Sequence, residues 1–266
     1  MFDLSIDGIK KDVILLGLVQ ARLMPMFVLM PFMNRNLVPR TVAFAIAAGA
    51  GLIVVPTLSD DLALRTDVSI IFVIIKEALL GLLLGFVCAI PFWAMEAVGT
   101  VIDNQRGASM AATINPLTGH DTSPIGMLLN IAFITFFFLV GGFGLLLDIV
   151  YESYRLWPPD RFWPRFDIDN AGLLVGLVNR LALLAMLLAS PALVIMFMAE
   201  LGLALVSRFA PQLQVFFLAM PIKSALGIFV LLIYAATLFE FGADELRDLR
   251  NWTLRLDGIL GGQAAR

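Results

Sequence analysis

Apolar residues in this chain neither alternate nor form narrow stripes; they run on. Free of charge, they fill Thr41–Ser59, Ala78–Met95, Thr122–Leu147, Leu181–Ala199 and Ser224–Phe239, runs of 16 to 26 residues. A sixth run, Val13–Met33, is interrupted by Arg22, Pro25 and Pro31. A helix needs about 20 apolar residues to cross the hydrocarbon core of a bilayer. Backbone amides in lipid must be satisfied internally, and the period of two of a membrane barrel is absent, so each run predicts a helix. The expected fold is an all-α membrane protein with about six long apolar helices arranged in hairpins.

Composition sharpens this picture. The 266 residues are 60% hydrophobic and 15% charged, with a mean hydropathy of +0.93. Soluble domains average roughly 45–50% apolar and about 25% charged. A water-soluble fold of this size cannot hide so much apolar surface, so most of it must meet lipid or other apolar protein. A disordered chain, a collagen-like chain and a disulfide scaffold are excluded, the last by the single Cys88. One histidine, His120, excludes a multi-histidine metal centre. A net charge of −3 leaves no basic footprint for nucleic acid.

The ends and loops add smaller signals. Lys10 and Lys11 precede the apolar stretch Val13–Val19, but Asp3, Asp7 and Asp12 spoil a basic leader and no Ala-x-Ala follows. The N-terminus is therefore expected to be retained. With six spans, ten Lys and Arg fall on the side of the termini: Lys10, Lys11, Arg65, Arg155, Arg161, Arg165, Arg247, Arg250, Arg255 and Arg266. Four fall opposite, Arg35, Arg40, Arg106 and Arg208. That imbalance places both termini in the cytoplasm. Trp157-Pro158-Pro159 and Trp163-Pro164 read as an interfacial loop. Residues 1–242 form the expected membrane domain and 243–266 a polar tail.

Six groups of charge lie in or beside the apolar runs: Arg22, Lys76-Glu77, Glu96, Arg180, Glu200 and Lys223. An ionisable group at mid-bilayer costs about 2.5–3.5 kcal/mol on insertion scales. Either these groups line a polar passage, or the helices are not fully in lipid, or each side chain snorkels from a span edge. Lys223 fits snorkelling least, because Phe216–Met220 and Ala225–Leu232 around it are apolar. Gly-x-x-x-Gly occurs at Gly81/Gly85, Gly172/Gly176 and Gly258/Gly262. A chain this rich in glycine yields about half as many by chance, so three are no evidence of a dimerisation code, and only Gly81/Gly85, inside an apolar run, is a candidate for close helix contact.

No catalytic constellation is present, and no enzyme activity, cofactor or metal is expected. There is no phosphate-binding loop and no His-Glu-x-x-His. Gly141-Gly142-Phe143-Gly144 lacks dinucleotide spacing. Cys88 sits in an apolar run without an activating charge, as a structural thiol does. His120-Asp121 lies in a Gly/Thr/Ser loop and reads as a turn. The segment Gly107–Pro124 stands between two strong spans and is neither charged nor strongly apolar. Asn115-Pro116 and Ser123-Pro124 break helix there. Irregular backbone at membrane depth is tolerated only inside protein or beside a water-filled cavity. The segment is thus either a re-entrant plug of a pore or an ordinary exposed loop, and composition alone does not separate the two.

Three stretches resemble a known family. They are Lys76-Glu77-Ala78-Leu79-Leu80-Gly81, then Glu96-x-x-Gly99 through Asp103-x-Gln105-Arg106-Gly107 with Asn115-Pro116 and Ser123-Pro124, and finally Arg208-Phe209-Ala210-Pro211-Gln212 through Met220-Pro221-Ile222-Lys223-Ser224. Together they resemble the SctT/FliR family, inner-membrane export-apparatus proteins of type III secretion systems and flagella, and look closer to the injectisome branch. The resemblance implies a multi-pass subunit of the bacterial inner membrane that helps form and plug a channel for unfolded secreted proteins. It implies R-type and S-type subunits, a switch protein and an export-gate protein as partners. It implies an R-type-like N-terminal part and an S-type-like hairpin over 172–242. It implies a channel plug at Gly107, Ser109, Met110, Asn115, Pro116, Thr118, Ser123 and Pro124. Subunit contacts are expected at Glu77, Glu96, Arg106, Arg208, Pro211 and Lys223. Under this reading several apolar helices pack on sister subunits rather than lipid, which weakens the orientation drawn from loop charge. One rival reading is a structural scaffold within a membrane complex, without a gate; the main rival is a small-molecule secondary transporter or channel. Such a protein is expected to show similar halves with matching broken helices, and neither is visible here.

Overall fold

A computed structural model describes residues 6–33, 38–58, 67–107, 123–159, 172–210 and 215–259. Seven α-helices fill these stretches: α1 (Ile6–Leu29), α2 (Arg40–Leu52), α3 (Asp67–Arg106), α4 (Pro124–Leu139), α5 (Gly142–Leu156), α6 (Gly172–Phe209) and α7 (Val215–Ile259). Short 3-10 turns stand at Pro31–Met33 and Val55–Thr57. No strand occurs among the described residues. The protein is an all-α, multi-pass membrane protein.

All six apolar runs become helix, with unequal lengths. α3, α6 and α7 are each long and apolar enough to cross a bilayer. The run Thr122–Leu147 is divided between α4 and α5, where the chain bends by 76°. Gly141 takes φ +77° at this break, a left-handed conformation that glycine adopts without steric cost. Counted as one broken span, the pair raises the number to four. The run Thr41–Ser59 yields only the 13-residue α2, because the chain tightens into a 3-10 turn containing Pro56. α1 is likewise short as an apolar helix, over Val13–Leu29.

The chain divides into two compact units. The first comprises Met1–Ile90, Phe138–Val175 and Leu246–Arg266. The second comprises Pro91–Phe137 and Gly176–Glu245. α3 changes unit at Pro91, whose missing N–H removes one i→i−4 hydrogen bond from the helix. α7 continues without interruption through 242–243, so the described part of the polar tail is helix.

In the first unit α1 and α3 run parallel and touch backbone to backbone. A Cβ on Gly81 would stand 2.1 Å from the Arg22 carbonyl oxygen, and one on Gly85 2.8 Å from that of Met26. The spacing of four residues on each helix keeps the two contacts on one face. α2 presents the small residues Ala47, Ala50 and Gly51 as its buried side. Gly51 meets Val19, Gln20 and Leu23 of α1 at 3.0–3.4 Å from where its Cβ would be.

In the second unit two antiparallel helix pairs are evident from their contacts. α6 and α7 pair Arg180 with Glu245, Leu188 with Tyr234, Met196 with Gly227, and Glu200 with Lys223. One number rises as the other falls, as a hairpin requires. The second half of α3 pairs with α4 in the same way. The Phe92 ring meets Phe133 and Phe137 edge-on, with centroids 5.2 Å apart in both cases, a geometry aromatic quadrupoles favour.

Candidate functional site

Two polar constellations stand out, one in each unit. The first is a buried ionic cluster. Arg22, Lys76 and Glu77 are each 3% exposed or less. Arg22 Nε donates to Glu77 Oε2 at 2.6 Å, and Lys76 Nζ lies 2.9 Å from Glu77 Oε1. One carboxylate thus faces two cations, and the excess positive charge needs further oxygen ligands. The C-terminal end of α5 supplies them. Arg22 donates to Ser153 Oγ and to the Trp157 carbonyl. Lys76 donates to the carbonyls of Pro158 and Pro159. These carbonyls lie at and just beyond the negative end of the α5 dipole, where a cation is stabilised. The Arg22 guanidinium also lies 4.1 Å from the Tyr154 ring centroid, a cation–π distance. Trp157, read from sequence as interfacial, is buried here. Glu77, an expected subunit contact, is wholly enclosed by its own chain.

The second constellation is the seam between α3 and α4. Asn130 Nδ2 donates to Glu96 Oε2 at 2.8 Å. One turn further, Gly99 meets Gly126: a Cβ on Gly99 would lie 2.4 Å from the Gly126 backbone nitrogen. Only a side chain of one hydrogen fits on either residue. At the end of the seam stands Asp103, itself buried. Its Oδ2 accepts from the Ser123 hydroxyl and from the Ile125 N–H at 2.9 Å. Its Oδ1 pairs with Arg106 Nη2 at 2.6 Å. Ser123 Oγ accepts in turn from the Gly126 N–H at 2.8 Å. Ser123 is therefore the N-cap of α4, with Pro124 in the first helical position, as cap chemistry favours. α3 ends where Gly107 takes φ +85°. Glu96, Gly99, Thr100 and Asp103 occupy one face of α3, which explains the spacing of the sequence stretch that contains them.

Of the expected plug residues, Ser123 and Pro124 start α4 at the foot of the seam, and Gly107 ends α3 one turn beyond Asp103. Ser109, Met110, Asn115, Pro116 and Thr118 lie outside the described residues, as does Pro211. Glu96 is exposed apart from its Asn130 contact. Arg106 is held by Asp103. Arg208 is exposed in the last turn of α6. Lys223 Nζ lies 3.1 Å from Glu200 Oε2 of its own chain, while Glu200 keeps 49% of its side chain exposed. Sequence reasoning passed over Asp103 as a functional position and passed over Ser153. An Asp three residues before an Arg at a helix end, followed by a Ser-Pro helix start, was the available signal for Asp103. Nothing in the sequence pointed to Ser153.

No group of three or more His, Cys, Asp or Glu side chains able to hold a metal ion occurs among the described residues. The arrangement offers fixed helix seams and an exposed apolar hairpin rather than a pocket of reactive groups. Such a molecule defines a class: a multi-pass helical membrane protein with internal ion pairs. Residues 13–249 match the family described as bacterial export proteins, family 1. The chain is 41% identical over 242 residues to the Yop proteins translocation protein T of Yersinia pestis, covering 90% of this chain and 93% of the relative. It is 34% identical to the surface presentation of antigens protein SpaR of Shigella flexneri, over 88% and 90% of the two chains. It is 30% identical to the flagellar biosynthetic protein FliR of Bacillus subtilis, over 84% and 86%. This chain belongs to the bacterial export protein family 1, the family its sequence resembles.

Proposed function

We propose that this protein is a subunit of the export gate of a type III secretion system in the bacterial inner membrane. It helps form and plug the channel through which unfolded proteins leave the cell. The higher identity to the Yop translocation protein than to the flagellar relative favours the injectisome branch. Its partners are R-type and S-type subunits, a switch protein and an export-gate protein, with unfolded secreted protein as cargo. Residues 172–242 serve as the S-type-like hairpin. The role is structural and gating, without catalysis.

One observation supports the plug reading above the others: the last turn of α3 and the first turn of α4, which flank the segment 107–123, are bonded to each other. Asp103, on the last turn of α3, caps the first turn of α4 through Ser123 and Ile125. A segment of small and weakly apolar residues on a fixed base suits a seal that must yield to polypeptide. Few large apolar anchors means that moving it costs little. Deleting residues 107–123 is expected to make the assembled gate leak ions at rest. Unchanged resting conductance in an assembled deletion variant refutes the plug role.

The exposed surface supports assembly. A share of 44% of the most apolar window of α3 is buried within this chain, against 28% in α6 and 22% in α7. α6 nevertheless carries the half-exposed Glu200 among exposed apolar neighbours such as Val194, Phe197 and Leu201. A carboxylate there is costly in lipid and is accommodated where neighbouring protein supplies partners. Glu96, Arg208, Pro211 and Lys223 are the residues proposed to reach those neighbours.

A further inference from the structure

We infer that Asp103 is a positioning residue: a single carboxylate that clasps the two ends of the segment 107–123 and so sets where it leaves and rejoins the helices. The inference rests on the plug reading for its consequence, but its geometry stands without it. Asp103 divides its two oxygens between the two helices it joins. Oδ1 is held on its own helix by Arg106, one turn later at 2.6 Å. Oδ2 faces α4, where it takes the Ser123 hydroxyl and the Ile125 amide. The ion pair with Arg106 keeps Oδ1 toward its own helix and leaves Oδ2 for α4. A carboxylate at a helix N-terminus meets unsatisfied amides and the positive end of the dipole. Hydrogen bonds to an ionised acceptor are also the stronger kind.

The surroundings make this contact a stem rather than a casual pair. Immediately behind it, Gly99 and Gly126 bring the two backbones together, so α3 and α4 have no room to slide. A Cβ on Gly126 would also strike Thr100 Oγ1 at 2.8 Å and the Glu96 carbonyl at 2.9 Å. Immediately ahead of it, Gly107 turns the chain off α3 with a positive φ. Its N–H bonds the Asn104 carbonyl at 3.2 Å. Asp103 acts on the segment only through Ser123 and Ile125, and touches nothing that passes.

The experiment uses the full chain co-expressed with its export-apparatus subunits. Asp103→Ala, Ser123→Ala and deletion of residues 107–123 are compared with the unaltered protein. Two quantities are read on each assembled complex: backbone amide exchange at residues 125–127, and resting ion conductance in a planar bilayer. Asp103→Ala is expected to speed exchange at Ile125 about fivefold, the factor for losing a hydrogen bond worth about 1 kcal/mol. It should raise resting conductance toward that of the deletion, and adding the deletion should raise it no further. Ser123→Ala removes the N-cap itself, so it should speed exchange at Gly126 about as much, while the Ile125 amide keeps its partner and conductance rises less. If Asp103→Ala does not assemble, Ser123→Ala carries the same comparison. Unchanged exchange in the assembled variant overturns the clasp. Faster exchange with normal conductance, while the deletion leaks, also overturns it as a positioning residue. If the deletion itself does not leak, the plug reading fails separately, and the clasp then stands or falls on the exchange alone.

Discussion

The Arg22–Glu77–Lys76 cluster and the Lys223–Glu200 pair use the same chemistry in opposite surroundings. In the first, every charge is buried, and the chain itself supplies the ligands: Ser153 and three carbonyls at the end of α5. In the second, one lysine meets one carboxylate that stays half exposed on an apolar helix. The first is finished within the chain and pins α1, α3 and α5 together. The second leaves one carboxylate half exposed on an apolar helix, the feature on which the proposed subunit contact rests. Charges in the apolar runs therefore have two different explanations, and burial separates them.

The largest expected effect tests the finished side. Glu77→Gln leaves two buried cations with no anion. Breaking a buried pair from one side costs about 3–5 kcal/mol. Recovery of folded protein from membranes should collapse, and a yield equal to the unaltered chain contradicts the account of the cluster. Next comes Gly81→Ala on the same α1–α3 contact. Its Cβ would run into the Arg22 carbonyl at 2.1 Å, and backbone cannot yield as a side-chain tip does. A loss of about 1–3 kcal/mol is expected, read as a lower thermal midpoint in detergent.

On the unfinished side, stability and function should part company. Lys223→Glu places a second carboxylate beside Glu200; the Lys223 side chain is 12% exposed and that of Glu200 49%, so Glu200 can turn away and the cost stays below that of the fully enclosed Glu77 cluster. The isolated chain should stay folded while secretion by the assembled system is lost. Normal secretion removes the proposed subunit contact at Lys223. The smallest effect is expected at Gly202 on α6, where nothing lies within 4 Å of an added Cβ. Gly202→Ala should leave thermal stability unchanged or raise it by up to about 1 kcal/mol, the helix-propensity difference.

Much of the helical plan was legible from uncharged run length alone. Run length fails where backbone geometry intervenes. Thr41–Ser59 counts as a span but folds as a short helix and a turn around Pro56, and Thr122–Leu147 folds as two helices broken at Gly141. The Gly141-Gly142 pair was the available warning. Counting glycine motifs gave no code, and two of those glycines make real contacts: Gly81 and Gly85 touch α1 closely, while Gly172 and Gly176 meet nothing within 4 Å. The buried cluster was half legible. Lys76-Glu77 inside an apolar run announced a problem, and Arg22 was visible as another. Their shared solution was not, because it uses carbonyl oxygens of Trp157, Pro158 and Pro159, and every residue type has a carbonyl. Seam residues such as Glu96, Gly99 and Asp103 carried a readable helical spacing, but their partners on α4 follow only from the hairpin.

The most direct measurement is a cryo-EM map of this chain co-expressed with the R-type and S-type subunits proposed as its partners. It should show protein, not lipid, against the exposed face of α6 and α7 around Glu200 and Lys223. A map with lipid on every side of that hairpin, from a chain that moves a solute across vesicles unaided, contradicts the gate-subunit account and restores the transporter reading.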